Sequence, residues 1–94
     1  MRTKRAREKI VAMLRDMGPL TTTAVFNELN SWPVGKYALR HGSQMAQINN
    51  VLGKCPEFVK LIDSKNVPVE HRVKVQGVNG YEYAACLWGL SAEN

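Results

Sequence analysis

Paired cysteines, clustered acids, histidines and long apolar runs are scarce or missing in this 94-residue chain, and each gap removes a class of protein. His41 and His71 are its two histidines, and the eight acids are scattered singly. There is no G-x-S-x-G, no P-loop, no HExxH and no carboxylate pair beside a histidine, so an enzyme is not expected. Cys55 and Cys86 lie far apart with no CxxC spacing, which argues against a disulfide framework and against structural zinc. Both are expected to be reduced thiols packing as small apolar residues, and no metal or other cofactor is implied. No run of about 18 apolar residues exists, so no membrane span is expected. The amphipathic run IVAMLRDMG follows the basic N-terminus where a secretory signal would need a continuous apolar stretch, so an intracellular location is expected. Aromatic residues make up only 7%. Phe26, Phe58 and Trp88 read as core, and Trp32, before Pro33, as a plug over a second helix. Tyr81 and Tyr83, two apart on one strand face, are either half-exposed strand residues or stacking residues for single-stranded nucleic acid. No small-molecule substrate is evident.

What the chain does have is a localised charge. Its 13 Lys+Arg against 8 Asp+Glu give +5, and residues 1–15 hold six of the basic side chains (Arg2, Lys4, Arg5, Arg7, Lys9, Arg15) against Glu8 alone. The remaining 79 residues hold seven of each sign and are neutral. Cations that open a helix oppose its dipole, so the cluster gains nothing locally and suggests an anionic partner; a solvated tail that only aids solubility is the plainer alternative.

Apolar spacing organises the rest into one domain over 1–94. Ala6, Ile10, Met13, Leu14 and Met17 form one stripe of a helix over about 3–17, behind a basic tail of about 1–5, and Gly18-Pro19 stops it. Leu20-Thr21 supplies a hydrophobic staple and N-cap for a second helix over about 22–30, burying Val25, Phe26 and Leu29. Residues 31–42 (SWPVGKYALRHG) are broken by Gly and Pro and read as an irregular connection. Ser43 is the expected N-cap of a third helix over about 43–54, with Met45, Ile48, Val51 and Leu52 inward. Strands follow at about 57–62, 71–76 and 81–90, with Asn79-Gly80 as the tight hairpin reversal between the last two.

Helix, short helix, connection, third helix and antiparallel hairpin, carried by LTTTAVFNELN, SQMAQINNVLGK, PEFVKLI and YEYAACLWGL, resemble the winged helix-turn-helix family over almost the whole chain. The resemblance implies an α+β fold whose third helix enters the major groove of double-stranded DNA, braced by the second helix, while the wing touches phosphates or the minor groove. It implies a small transcriptional regulator. The connection of about a dozen residues departs from the family's usual tight turn, so the fold is a long-turn variant or the segment carries contacts of its own. INNVLGK and LWGL are also similar to the Z-form nucleic-acid-binding members, in which an Asn pairs with a Tyr one turn later. Asn49 aligns with that Asn, but Gly53 stands at the Tyr position, which argues against Z-form specificity.

With Ile48 at the centre of the buried face, the outward face of the third helix carries Ser43, Ala46, Gln47, Asn50 and Lys54, with Asn49 at its edge and Gln44 in its first turn. Gln and Asn can pair bidentately with the N6 and N7 edge of adenine, and Ala46 permits close approach to a thymine methyl. The same amides read equally as a solvated face. The helix carries no Arg for guanine; Arg40 is the nearest candidate, with His41 beside it at a helix N-terminus suited to phosphate. Lys36, Arg40 and His41 in the connection, Arg72 and Lys74 in the wing, and Arg2, Lys4 and Arg5 at the N-terminus are the candidate phosphate contacts. So small an interface suggests a homodimer or larger assembly. The alternative function is a protein–protein interaction or dimerisation module without DNA readout, which the neutral balance of residues 16–94 favours.

Overall fold

The computed structural model describes residues 4–74 and 85–91. The elements run α1 (Lys4–Met17), β1 (Leu20–Thr21), α2 (Thr22–Leu29), α3 (Met45–Lys54), β2 (Phe58–Ile62) and β3 (Leu87–Leu90). The fold is α+β: three helices against a three-stranded antiparallel sheet in the order β1-β3-β2.

The helices form where the spacing places them. Ala6, Ile10, Met13 and Leu14 face inward from α1, while Met17, the last of the expected stripe, is half exposed because the helix ends under it. Gly18 adopts φ +82° and its N–H donates to Leu14 O at 3.0 Å, the left-handed cap expected before Pro19. Thr21 caps α2, its Oγ1 accepting from Ala24 N at 3.2 Å. Thr21 also belongs to β1, pairing with Leu87 while Leu20 pairs with Trp88. Ile10, Met13, Val25, Leu29, Ile48, Val51, Leu52 and Phe58 build one core, with Phe26 and Trp88 partly buried against it. The Trp88 indole N–H donates to Thr22 Oγ1 at 3.0 Å, joining β3 to the start of α2.

Three expectations change. Gln44, not Ser43, is the N-cap of α3 and makes no side-chain cap bond; Ser43 is bonded through its backbone N–H to Asn30 and through its hydroxyl to Gln47. The strand expected over 71–76 does not form in its described part: His71 N bonds Pro68 O and Arg72 N bonds Val69 O, both at 3.0 Å, closing a 3₁₀ turn over Val69–His71. Only Lys74 reaches bridge geometry there. In its described part the final strand begins at Leu87, because Ala85 and Cys86 precede it outside the ladder, although Cys86 O still accepts from Thr22 N at 3.2 Å. The Asn79-Gly80 reversal, Tyr81 and Tyr83 lie outside the described residues, as does Arg2.

Candidate nucleic-acid interface

The N-terminus of α3 is fixed by one side chain. The Asn30 amide, just past α2, donates from Nδ2 to Phe26 O at 2.8 Å and to Ser43 O at 2.9 Å, and its Oδ1 accepts from Ser43 N at 3.0 Å. Gly42 precedes this clamp at φ +68°, and a Cβ there would fall on Asn30 Oδ1, so both its backbone and its neighbour require glycine. The angle between α2 and α3 is thereby set by hydrogen bonds as well as by Val25, Leu29, Ile48 and Leu52 in the core between them.

From this fixed start, α3 presents Gln44, Ala46, Asn49, Asn50, Gly53 and Lys54 as exposed residues. Gln47 is half-buried, and the Ser43 hydroxyl reaches its Oε1 at 3.3 Å. The outward face is thus uncharged up to Lys54, and Asn49, expected at its edge, is as open as Asn50.

The connection 31–42 is a chain of bonded turns. Val34 N and Gly35 N both donate to Ser31 O, at 2.9 and 3.0 Å, Leu39 N donates to Leu29 O at 2.9 Å, and Gly42 N to Leu39 O at 3.0 Å. Ser31 Oγ donates to Glu28 O at 2.7 Å, and a Cβ on Gly35 would collide with that hydroxyl. Tyr37, which sequence reasoning left in an irregular loop, is buried, and its hydroxyl donates to Asp16 Oδ2 at 2.7 Å. That bond, then burial, then the negative charge of Asp16 and Glu28, raise the Tyr37 hydroxyl above its ordinary pKa of 10.0. Lys36 lies 3.8 Å from the same carboxylate oxygen and 5.5 Å over the Tyr37 ring.

The candidate cations are therefore not one patch. Lys36 stands by Asp16 at the C-terminal end of α1, whereas Arg40 shares a groove with Arg5 and Lys9 near its N-terminal end; Asp16 and Arg5 are roughly 16 Å apart along the helix at 1.5 Å per residue. Arg7 turns to another side, 3.7 Å from Glu57, in a cleft shared with Arg15. Lys4, Arg5, Arg40 and His41 are exposed. Arg72 donates from Nε to Val67 O at 2.9 Å, and Lys74 O accepts from Asn27 Nδ2 at 2.8 Å, which places this segment beside α2.

Trp32 is a correction. Expected to plug α2, its side chain is 55% exposed and lines the Arg5–Lys9–Arg40 groove. The Asn30 clamp and the Tyr37–Asp16 bond were also missed; a Tyr among turn formers was the one available signal. Cys55 and Cys86 are free and partly buried.

The architecture is that of a small α+β domain with an exposed, rigidly seated third helix. A solved structure shares it: a putative nucleic acid binding protein from an uncultured marine organism is 31% identical, with a TM-score of 0.60, over 94% of this chain and 79% of that one. The chain belongs to the same family as that protein. No family model and no curated protein sequence matches it.

Proposed function

We propose that this chain is a winged-helix protein that binds double-stranded DNA without catalysing a reaction, with α3 in the major groove. The observation that carries the reading is the exposed amide face of α3, Asn49 and Asn50 around the small Ala46, with Gln44 exposed at the helix entry that Asn30 locks. Such a face suits bidentate contacts to adenine edges. Three helices followed by antiparallel strands agree with the winged-helix resemblance, and the marine relative's name supports a nucleic acid as partner. Arg5, Lys9 and Arg40 supply sequence-independent affinity beside the start of α3, and the amides supply the preference among sequences. A small regulator of transcription is the role this suits.

The test is titration of the full chain against duplex DNA at several salt concentrations. Three to six phosphate contacts give a log–log slope of about −2.7 to −5.4. Replacing Arg5 and Arg40 by Ala flattens the slope by about 1 for each phosphate no longer neutralised, while Asn50→Ala leaves the slope alone and relaxes sequence preference by about 1–3 kcal/mol. Binding with no salt dependence, unchanged by these substitutions, sinks the proposal.

A second reading, a module that holds a protein partner or another copy of itself, draws on exposed apolar residues. Val34 is 90% and Val69 79% exposed, and Val59 and Leu61 stand half exposed on β2, an edge strand among the described residues. Leu39 does not join them, since it packs against the core. Sedimentation with and without DNA separates the readings: self-association that persists when DNA binding is absent favours the module.

A further inference from the structure

We infer that the groove between the N-terminal half of α1 and the connection 31–42 is a seat for an unpaired nucleobase, with Trp32 as the stacking surface and Arg5, Lys9 and Arg40 on the flanking phosphates. The inference rests on the chain being a nucleic-acid binder and adds a site for a single strand beside the duplex-reading helix.

Three observations converge. The groove, lined by Arg5, Glu8 and Lys9 of α1 and by Trp32, Leu39 and Arg40 of the connection, holds about 480 Å³, within the roughly 300–1,000 Å³ typical of small-ligand sites. Its three cations outnumber its one acid. None of the three makes an ion pair among the described residues, whereas Arg7, Lys36 and Lys60 are each within 4 Å of a carboxylate. A large indole surface is left in water inside this cationic groove while its neighbours Tyr37, Ala38 and Leu39 pack inward. Finally, the turn that carries Trp32 is stiff: Ser31 O accepts from Val34 and Gly35, and Ser31 Oγ is bonded to Glu28 O. A preorganised aromatic beside cations is the arrangement that binds a stacked base with its phosphates.

The groove also adjoins the proposed duplex site. Arg40 and Gln44 are four residues apart, so their Cα atoms lie within about 14 Å even in a fully extended chain. That spans roughly four base steps at 3.4 Å per step along one strand. A duplex end or opened segment seated on α3 therefore reaches Trp32 with a short single strand. Stacking depends on the base face, so the seat accepts any base and prefers single strand to duplex.

The experiment titrates the full chain with a blunt duplex, the same duplex carrying a four-to-six-nucleotide overhang, and that overhang made abasic. Deoxythymidine and uridine overhangs compare DNA with RNA. Tryptophan fluorescence is read throughout. The overhang is expected to tighten binding about 5- to 150-fold, the range of one stacked base, and to quench fluorescence; the abasic overhang does neither. Trp32→Ala abolishes the gain and the quenching, Trp32→Phe restores part of the gain, and both leave blunt-duplex affinity and the thermal midpoint unchanged. Blunt-duplex binding with no gain from an overhang overturns the seat and leaves the duplex reading standing. A Trp32-dependent gain on the overhang with no affinity for the blunt duplex supports the seat and removes the duplex reading. An equal gain in Trp32→Ala, or no binding to any of the probes, overturns the seat.

Discussion

The two long connections of this domain, 31–42 between α2 and α3 and the described residues 63–74 after β2, are both irregular and are held in different ways. The first is closed on itself and on both helices it joins: backbone bonds at Ser31, Leu39 and Gly42, the Asn30 clamp on Ser43, and Tyr37 on Asp16. The second consists of two 3₁₀ turns, Ser64–Asn66 and Val69–His71, hung on one buried side chain, Val67, with Arg72 bonded back to it and Lys74 reached by Asn27. Anchoring spread over the first segment fixes where Trp32, Arg40 and the start of α3 stand. Anchoring concentrated in the second holds it at Val67 and beside α2. A segment rich in Gly, Pro and Ser is therefore not loose by composition; what matters is where its backbone groups find partners.

The sharpest way to break this comparison is at Gly42. Gly42→Ala imposes a left-handed conformation on a residue with a Cβ and drives it into Asn30, so we expect a loss of about 2–4 kcal/mol by denaturant unfolding, together with weakened DNA binding in the molecules that remain folded. Val67→Ala comes next. Removing about two buried methyl equivalents costs about 2 kcal/mol, but DNA affinity measured well below the thermal midpoint should not change; a fall in affinity there removes the distinction between the segments. Asn27→Ala, which frees Lys74 O at an exposed position, should lower stability by about 0.5–1 kcal/mol in the same assay.

The smallest effect is a titration. Tyr37 has a raised pKa in the fold, so its bond to Asp16 stabilises fully at pH values below the ordinary 10.0, and the contribution is lost as pH rises through the elevated value. Ultraviolet difference titration should show a tyrosine ionising above 10.0, and Asp16→Asn should bring it back toward 10. If Asp16→Asn leaves every tyrosine where it was, Tyr37 does not tie the connection to α1.

All three helices were legible to within a residue or two, because Ile10, Met13, Val25, Leu29, Ile48 and Leu52 recur at helical spacing and Gly18 and Thr21 mark ends. β1 was not legible, since two residues carry no periodicity, and its existence depends on β3 arriving from the other end of the chain. The anchoring of 31–42 was hidden for the same reason: Tyr37 is buried through a partner 21 residues away, and Asn30 acts on Ser43 at a distance of 13. Trp32 was misread because hydrophobicity alone predicts burial, whereas the turn at Ser31 points it outward. For the interface, the exposure of Ala46, Asn50 and Lys54 was readable from the spacing of α3, but the half-burial of Ser43 and Gln47, the openness of Asn49 and the division of the N-terminal cations between the Arg40 groove and the Glu57 cleft were not. Positions 5 and 9 lie along one side of a helix and position 7 on another, yet which neighbour each side meets is a tertiary fact.

The sheet order carries a consequence for how the chain acquires its shape. β3 is the central strand, and it comes last among the elements: Leu20 must find Trp88, and Phe58 must find Leu90. Contacts so distant in sequence form slowly, because a large loop has to close before they return any free energy. During synthesis the three helices can begin to pack while both edge strands still lack the strand between them. Until Leu87–Leu90 emerges, β1 and the largely apolar β2 lack the strand that pairs with both, the form of this chain most liable to pair with the wrong partner.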